Sequence, residues 1–274
     1  MATFPLAPGS AIGILGGGQL GRMLALAAAR LGFDTLILTP EKNSPAARVA
    51  AGAIVAPYDD PDALAAFGRA VQVATFEFEN VPARVVERLQ ALDVPVAPGA
   101  RALAVAQDRI DEKTYLNACG APTVAFAAVD GPVDILAGLD KLGAPALLKT
   151  RREGYDGKGQ TWVENHADAE AAWGRIGRVP AILEARASFV RELSVIAARG
   201  RDGEVSTYPP GENHHENGVL RRTSAPADIT AAARIQIETI AARILTRLDY
   251  VGVMGVELFE LADGRFLVNE IAPR

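Results

Sequence analysis

The chain has 274 residues, of which 49% are hydrophobic and 22% are charged, and its formal net charge is −5. Its lysines and arginines are scattered along the chain, so the sequence lacks the basic patch that binds nucleic acid or an anionic membrane. We therefore expect small-molecule partners, with no nucleic acid and no membrane. Cys119 is the one cysteine, and the first residues lack a basic segment followed by a long apolar core, so we expect a cytoplasmic protein.

Short apolar runs alternate with helical patterns over the first third of the chain. The pattern predicts strands at 11–15, 35–39, 53–56 and 71–75, and helices that end near residues 30, 69 and 92. Such alternation predicts an α/β domain with a parallel, Rossmann-like sheet. The prolines and the glycine of "VPVAPGARAL" indicate a boundary near residue 98.

The remainder of the chain reads as two further units. A helix stopped by Gly120 leads into a second α/β unit that extends to about Glu184. Longer strands then surround a loop at 209–218 that is rich in Gly, Pro, Asn and His, and a strong helix is predicted at 228–248. We predict domains at 1–98, 99–186 and 187–274.

The stretch "ILGGGQLGRM" places three glycines between the first strand and the first helix. Gly16, Gly18 and Gly21 fit G-x-G-x-x-G in the context of a βα nucleotide turn. On its own the match is weak. It leaves open an NAD(P)-dependent oxidoreductase, or a protein that keeps this turn while its chemistry lies elsewhere.

The segment "LLKTRREGYDGKGQ" follows an apolar strand and mixes glycines with basic residues. Glycines let the backbone approach phosphate oxygens, and lysines add positive charge. The segment therefore favours a flap over a triphosphate, although a basic surface hairpin would show the same composition. Its glycines and basic residues are Gly154, Gly157, Gly159, Lys149, Arg151, Arg152 and Lys158.

The C-terminal segment predicts a hairpin in which two carboxylates face each other. A two-residue turn at Asp263-Gly264 pairs Glu257 with Glu270, on a face shared with the apolar residues 259, 261, 266 and 268. Like charges directly opposite each other repel, so they need a shared proton or a cation, and Mg²⁺ takes such oxygens together with substrate phosphates. The alternative to a metal site is an edge hairpin whose two acids are solvated. A three-residue loop would shift the register and separate the two carboxylates. Asn269 points to the other face, so it reaches the site only through a twist or a bulge.

Other polar residues carry less information on their own. Glu184 and Glu192 are as typical of ordinary strands as of a site. His214 and His215 are adjacent in the predicted loop, and no nearby cysteine or carboxylate spacing suggests a zinc site.

Taken together, these segments resemble one enzyme family over essentially the whole chain. The resemblance is to the 5-(carboxyamino)imidazole ribonucleotide synthases of the ATP-grasp superfamily. Its motifs are, in chain order, "GILGGGQLGRML", "FEFENVP", "QDRIDEK", "KTRREGYDGKGQ", "RELSVI", "HHENGVLRRTSAP", "YVGVMGVELF" and "VNEIAPR".

The resemblance implies a fold and a reaction. The fold is α/β and ATP-grasp: an N-terminal Rossmann-like domain followed by two α+β grasp subdomains. The reaction uses ATP, Mg²⁺ and bicarbonate to carboxylate 5-aminoimidazole ribonucleotide through carboxyphosphate, in purine biosynthesis. A homodimer is implied as well. Family members continue beyond the position of Arg274 with a small domain that binds substrate phosphate, so a truncated chain is expected, and a non-catalytic ATP-binding module is an alternative to the active ligase.

The resemblance also carries roles to positions of this sequence. Glu257 and Glu270 match metal ligands, and Tyr155, Asp156 and Lys158 match catalytic positions. The ribonucleotide site matches Gly18, Gln19, Leu20, Glu77 and Glu79. The ATP contacts match Arg109, Lys149, Gly154, Tyr155, Asp156, Gly157, Lys158, Gly159, Gln160, Glu184, Ala185, Arg186, Ala187, Glu192, His215, Asn269 and Glu270.

Overall fold

A computed structural model describes residues 4–152, 154, 158–216 and 218–274. Three sheets follow one another along the chain, and each has its own apolar core. None of the helices within the described ranges is long and apolar enough to cross a membrane.

The first sheet is parallel, as the alternation of strands and helices predicts. Its four strands lie in the order β3-β2-β1-β4, which places the carboxyl ends of β1, β2 and β4 at one edge. Phe67 of α2 and Val85 of α3 are fully buried in the core that these helices form with the sheet. The elements are β1 (Ala11–Leu15), α1 (Gln19–Arg30), β2 (Asp34–Thr39), β3 (Gly52–Val55), α2 (Pro61–Ala70), β4 (Val73–Phe76) and α3 (Ala83–Ala91).

The second sheet is small and antiparallel. Its strand order is β5-β8-β6-β7, and it shares an apolar core with α6 and α7. The helix predicted to stop at Gly120 is α5, and the Asp108 side chain caps its N-terminus by accepting from the Ile110 N–H. The elements are α4 (Ala100–Ala106), α5 (Arg109–Ala118), β5 (Phe126–Val129), α6 (Pro132–Leu142), β6 (Ala146–Thr150), β7 (Gln160–Val163), α7 (Ala169–Arg175) and β8 (Ala181–Ala185).

The third sheet is larger and antiparallel. Its order is β12-β11-β9-β13-β14, with β10 paired to β9, and α8 packs on β9. The elements are β9 (Phe189–Arg199), β10 (Val205–Thr207), β11 (Gly211–Glu216), β12 (Val219–Ser224), α8 (Ala231–Arg247), β13 (Gly252–Leu261) and β14 (Phe266–Pro273).

The predicted loop at 209–218 is wrong for most of its length. Residues 211–216 form β11, which pairs with both β9 and β12. Its glycine, asparagine and histidines have low strand propensity, but two neighbouring strands supply hydrogen-bond partners for its backbone and override that preference. His214 and His215 therefore lie on a strand.

The C-terminal hairpin has the predicted carboxylate pair, but its loop length and its register differ from the prediction. The loop has three residues, 262–264, because the Leu261 N–H donates to the Arg265 carbonyl at 2.9 Å, and Gly264 takes the left-handed conformation (φ 79°) that such loops require. The register is therefore shifted near the loop, and a bulge between Glu257 and Leu258 restores it, so that Glu257 faces Glu270.

This register corrects one part of the prediction. Phe266 and Val268 were expected on the carboxylate face, but they lie on the opposite face, buried in the core with Leu258. The one-residue shift moves their side chains across the sheet, because strand side chains alternate between faces.

Candidate active site

A cleft lies between the small sheet and the large sheet, and it collects most of the predicted site residues. It is a cavity of about 410 Å³. The predicted residues that line it are Arg109, Lys149, Gly154, Lys158, Gln160, Glu192, His215, Glu257, Asn269 and Glu270. Tyr155, Asp156 and Gly157 lie outside the described residues.

One end of the cleft is apolar. Phe189 and Phe259 stack with their ring centroids 4.5 Å apart, and Leu147 and Trp162 complete an adjoining cavity. The predicted segment 184–187 lines this cavity too. A flat, apolar slot beside a strand edge suits an aromatic base.

The carboxylate pair lies at the polar end of the cleft. Burial raises the pKa of Glu257 to about 7, and the Glu270 charge opposite adds to the effect. Burial also disfavours the charged form of Glu270, but Arg109, whose Nη1 lies 2.8 Å from Glu270 Oε2, together with Lys149 and Lys113 lowers its pKa. The Asn269 side chain has the opposite effect and lowers the pKa of Glu257, and the bulge brings Asn269 to the cleft.

Glu184 forms ion pairs with two lysines, Lys149 and Lys113, and these three residues form the floor of the cleft. Its Oε2 lies 2.7 Å from Lys149 Nζ, and its Oε1 lies 3.2 Å from Lys113 Nζ. Burial would raise the pKa of Glu184, but the two ammonium groups lower it to about 2. Glu184 is therefore ionised at neutral pH, although it is nearly fully buried.

Strands β9 and β11 bring a histidine and a carboxylate together on the cleft wall. His215 Nδ1 lies 2.6 Å from Glu192 Oε2. Burial raises the pKa of Glu192, against the opposing charges of His215 and Lys149. The strand pairing that the sequence did not predict is what places His215 here.

A second, smaller cavity of about 110 Å³ lies on the other side of the carboxylates. It shares Arg109, Glu257 and Glu270 with the cleft, so the two cavities meet at the carboxylate pair. The smaller cavity adds Arg151 and Arg152, which the sequence placed in the basic segment of the flap and which pair with Asp108. It also adds Arg274, which sequence reasoning missed and which pairs with Glu79.

The glycine turn of the first sheet holds an internal carboxylate. Both oxygens of Glu77 accept from backbone N–H groups at the start of α1, from Gly18 and Gly21, each at 2.5 Å. A Cβ added at Gly16 would lie 2.4 Å from the Glu77 side chain. A dinucleotide pyrophosphate would need these same N–H groups, so the geometry disfavours the oxidoreductase interpretation.

The predicted ribonucleotide residues are divided between two places. Gly18, Gln19, Leu20 and Glu77 line a cavity at the edge of the first sheet. Glu79 lies in the arginine-lined cavity instead.

Comparisons with known proteins agree with this architecture. Residues 114–274 match the model of the ATP-grasp domain, and residues 10–107 match that of the ribonucleotide synthetase preATP-grasp domain. An N5-carboxyaminoimidazole ribonucleotide synthase of Brucella melitensis is 48% identical over 271 residues, which are 98% of this chain and 75% of the relative. The chain belongs to the N5-carboxyaminoimidazole ribonucleotide synthase family.

Solved structures of this synthase family have the same fold. An ADP complex of an N5-carboxyaminoimidazole ribonucleotide synthetase superposes with a TM-score of 0.94 at 38% identity, covering 98% of this chain and 71% of that one. The Aspergillus clavatus enzyme in complex with ADP and 5-aminoimidazole ribonucleotide gives 0.89 at 29% identity, covering 97% and 70%. The predicted ATP-grasp fold is confirmed, and the chain is an ATP-grasp ligase. The domain boundaries at 98 and 186 and the roles of individual residues stay predictions.

The carboxylate pair fits the Mg²⁺ ion that ATP-grasp ligases use. Across residues 4–152, 154, 158–216 and 218–274, no group of three or more His, Cys, Asp or Glu side chains is placed to hold a metal. Mg²⁺ does not require one, since it is commonly held by one or two carboxylates together with substrate phosphates. Two facing carboxylates, one of them with a pKa raised to about 7, meet that requirement.

Proposed function

We propose that this chain uses ATP and bicarbonate to carboxylate 5-aminoimidazole ribonucleotide to 5-(carboxyamino)imidazole ribonucleotide, a step of purine biosynthesis. The observation that carries the proposal is the position of Glu257 and Glu270 between a cleft with lysines at its floor and a cavity lined by arginines. The cleft suits the nucleotide, and the smaller cavity suits the oxyanion that takes the phosphoryl group.

The nucleotide lies along the cleft in this proposal. The base occupies the apolar end beside Phe189, and the segment 184–187 follows its edge. The phosphates extend toward Lys149, Arg109 and the described flap residues that line the cleft, which are Gly154, Lys158 and Gln160. Glu192 and His215 on the wall contact the sugar. Mg²⁺, when bound by Glu257 and Glu270, neutralises the charge of the phosphates.

Phosphoryl transfer needs positioning and charge neutralisation more than a protein nucleophile. A bicarbonate oxygen attacks the γ-phosphorus, ADP leaves, and carboxyphosphate forms. The substrate amine then attacks the carboxyl carbon, inorganic phosphate leaves, and the nitrogen loses a proton. Arg109 and Arg274, which face the smaller cavity, hold the oxyanions of this sequence. By resemblance, Tyr155, Asp156 and Lys158 act at the reacting groups.

The ribonucleotide site in this proposal begins at the glycine turn. Because the N–H groups of Gly18 and Gly21 are bound to Glu77, this cavity has little to offer a phosphate. Its polar groups include Glu77, Glu41 and Tyr58, and burial beside Glu77 raises the pKa of Tyr58 to about 12, so that its hydroxyl stays neutral. Such groups suit the hydroxyls of a ribose.

We also infer a homodimer and a cytoplasmic location, both from the family resemblance. Two large apolar residues are exposed on helix α1, Met23 within it and Leu31 directly after its C-terminal end. This exposed face of α1 is therefore a candidate dimer interface. Light scattering of Met23→Glu beside the unaltered chain tests it, since a dimer through this face would dissociate.

The function is tested by phosphate release from ATP with bicarbonate and 5-aminoimidazole ribonucleotide. Release that requires both, with carboxylated product detected by isotope from labelled bicarbonate, supports the proposal. ATP binding without release indicates a nucleotide-binding module, and NADH binding without ATP binding indicates an oxidoreductase; either result overturns it.

A further inference from the structure

Helix α5 carries a lysine whose side chain is completely buried. Lys113 is 0% exposed, and it ends the motif "QDRIDEK", in which only Arg109 was given a predicted role. Burying an ammonium group is costly unless it is paired and hydrogen-bonded. Its partners therefore indicate what the fold gains from it.

Lys113 contacts both sheets that form the cleft. Its Nζ lies 3.2 Å from Glu184 Oε1 on β8 of the small sheet, and it donates to the Asn269 carbonyl on β14 of the large sheet at 3.0 Å. The Asn269 carbonyl belongs to the bulge region that restores the register of the carboxylate pair.

The neighbouring residue, Glu112, contacts the same strand on the other side of Glu270. Its Oε1 accepts from the Ile271 N–H at 2.8 Å. One turn earlier, Arg109 contacts the Glu270 side chain itself. Helix α5 thus holds the backbone on both sides of Glu270 as well as its carboxylate.

The charge of Glu184 explains why the floor of the cleft needs a second lysine beside Lys149. Glu184 lies 2.7 Å from Lys149, and with no other partner it would cancel the charge that Lys149 presents to the cleft. With Lys113 on its other oxygen, the three groups carry a net charge of +1. Lys149, which is only slightly exposed and lines the cleft, then remains effectively positive toward a phosphate.

We propose that Lys113 is a positioning residue that neutralises Glu184, leaves the charge of Lys149 available to the nucleotide phosphates, and holds the bulge beside Glu270. It does not itself contact substrate. This inference rests on the proposed nucleotide site in the cleft, and it assigns a task to a residue outside the set of predicted ligands.

The test is ADP binding by calorimetry, which does not depend on turnover. Lys113→Met should raise the Kd for ADP by about ten- to a hundredfold, which is about 1.4–2.8 kcal/mol, because it removes one positive charge near the phosphates. Lys141→Met removes the same charge from the exposed end of α6 and should leave the Kd within about twofold.

Two further variants separate electrostatics from packing. Lys113→Arg keeps the positive charge beside Glu184, so it should bind ADP within about threefold of the unaltered chain. Lys113→Gln removes the charge but keeps an amide N–H that can donate to the Asn269 carbonyl. It should weaken ADP binding as Lys113→Met does, and it remains informative where Lys113→Met alone fails to fold.

The outcomes are distinguishable from failure of the proposed function. If the unaltered chain does not bind ADP, the nucleotide site is wrong. If it binds ADP and Lys113→Met or Lys113→Gln binds equally well, or if Lys113→Arg folds yet binds as weakly as Lys113→Met, the role assigned to Lys113 is overturned.

Discussion

Glutamine in place of Glu257 should stabilise the metal-free protein at alkaline pH while removing turnover. Glu257 faces Glu270 across the hairpin, and burial together with that charge raises its pKa from 4.5 to about 7. At about 1.4 kcal/mol for each pKa unit, this difference corresponds to at most about 3.5 kcal/mol. Glu270 is 37% exposed, so solvent screens the repulsion, and we expect about 1–2 kcal/mol.

The pH dependence follows from which state holds the proton. Between pH 4.5 and about 7 the folded protein keeps Glu257 protonated while the unfolded chain has lost that proton. The stability of the folded state therefore falls as pH rises through this window, and the deficit is complete above about pH 7. Glu257→Gln cannot ionise, so its gain over the unaltered chain should be absent at low pH and full at alkaline pH.

Thermal melts in EDTA across this pH range measure the effect. For a chain of this size, about 1–2 kcal/mol corresponds to an increase in Tm of roughly 2–8 °C. Glu164→Gln, at an exposed position, is the matched control and should show no gain that grows with pH. Mg²⁺ should raise the Tm of the unaltered chain more than that of Glu257→Gln. A gain of equal size at pH 5 and pH 9, or a loss at pH 9, would refute the repulsion argument.

Three further predictions concern the metal ligand Glu270, the glycine turn of the first sheet and the pocket for the nucleotide base. Glu270→Gln should abolish Mg²⁺-dependent phosphate release and leave the fold intact by circular dichroism; undiminished release would contradict the metal assignment. Gly16→Ala, which combines a positive φ of 116° with a 2.4 Å approach to Glu77, should lower the Tm by several degrees, whereas Gly99→Ala, with open space around it, should not. Phe189→Ala should weaken ADP binding about tenfold by calorimetry, since it removes a stacked ring from the base slot; an unchanged Kd would place the base elsewhere.

Local patterns carried a large part of the prediction. The parallel first sheet follows from apolar runs that alternate with helices, and α5 ends near Gly120 as its pattern indicates. The pairing of Glu257 with Glu270 is instructive, because the sequence supported it through a two-residue loop. The observed three-residue loop and the bulge shift the register in opposite directions, so they cancel from the Glu257–Glu270 pair to the far end of the hairpin.

The sequence by itself determined the strand and helix alternation of the first domain, the helices that end near Gly120 and Leu248, and the residue types that bind phosphate and Mg²⁺, because these depend on short-range periodicity and side-chain chemistry. Only the tertiary structure decided that 211–216 is a strand, that Glu77 fills the glycine turn, and that Lys113 and Arg109 converge on the cleft. Those contacts join residues far apart in the chain, 59 positions for Gly18 and Glu77 and 161 for Arg109 and Glu270. A pattern in neighbouring residues cannot predict such long-range contacts, because burial and charge compensation arise only when the sheets pack together.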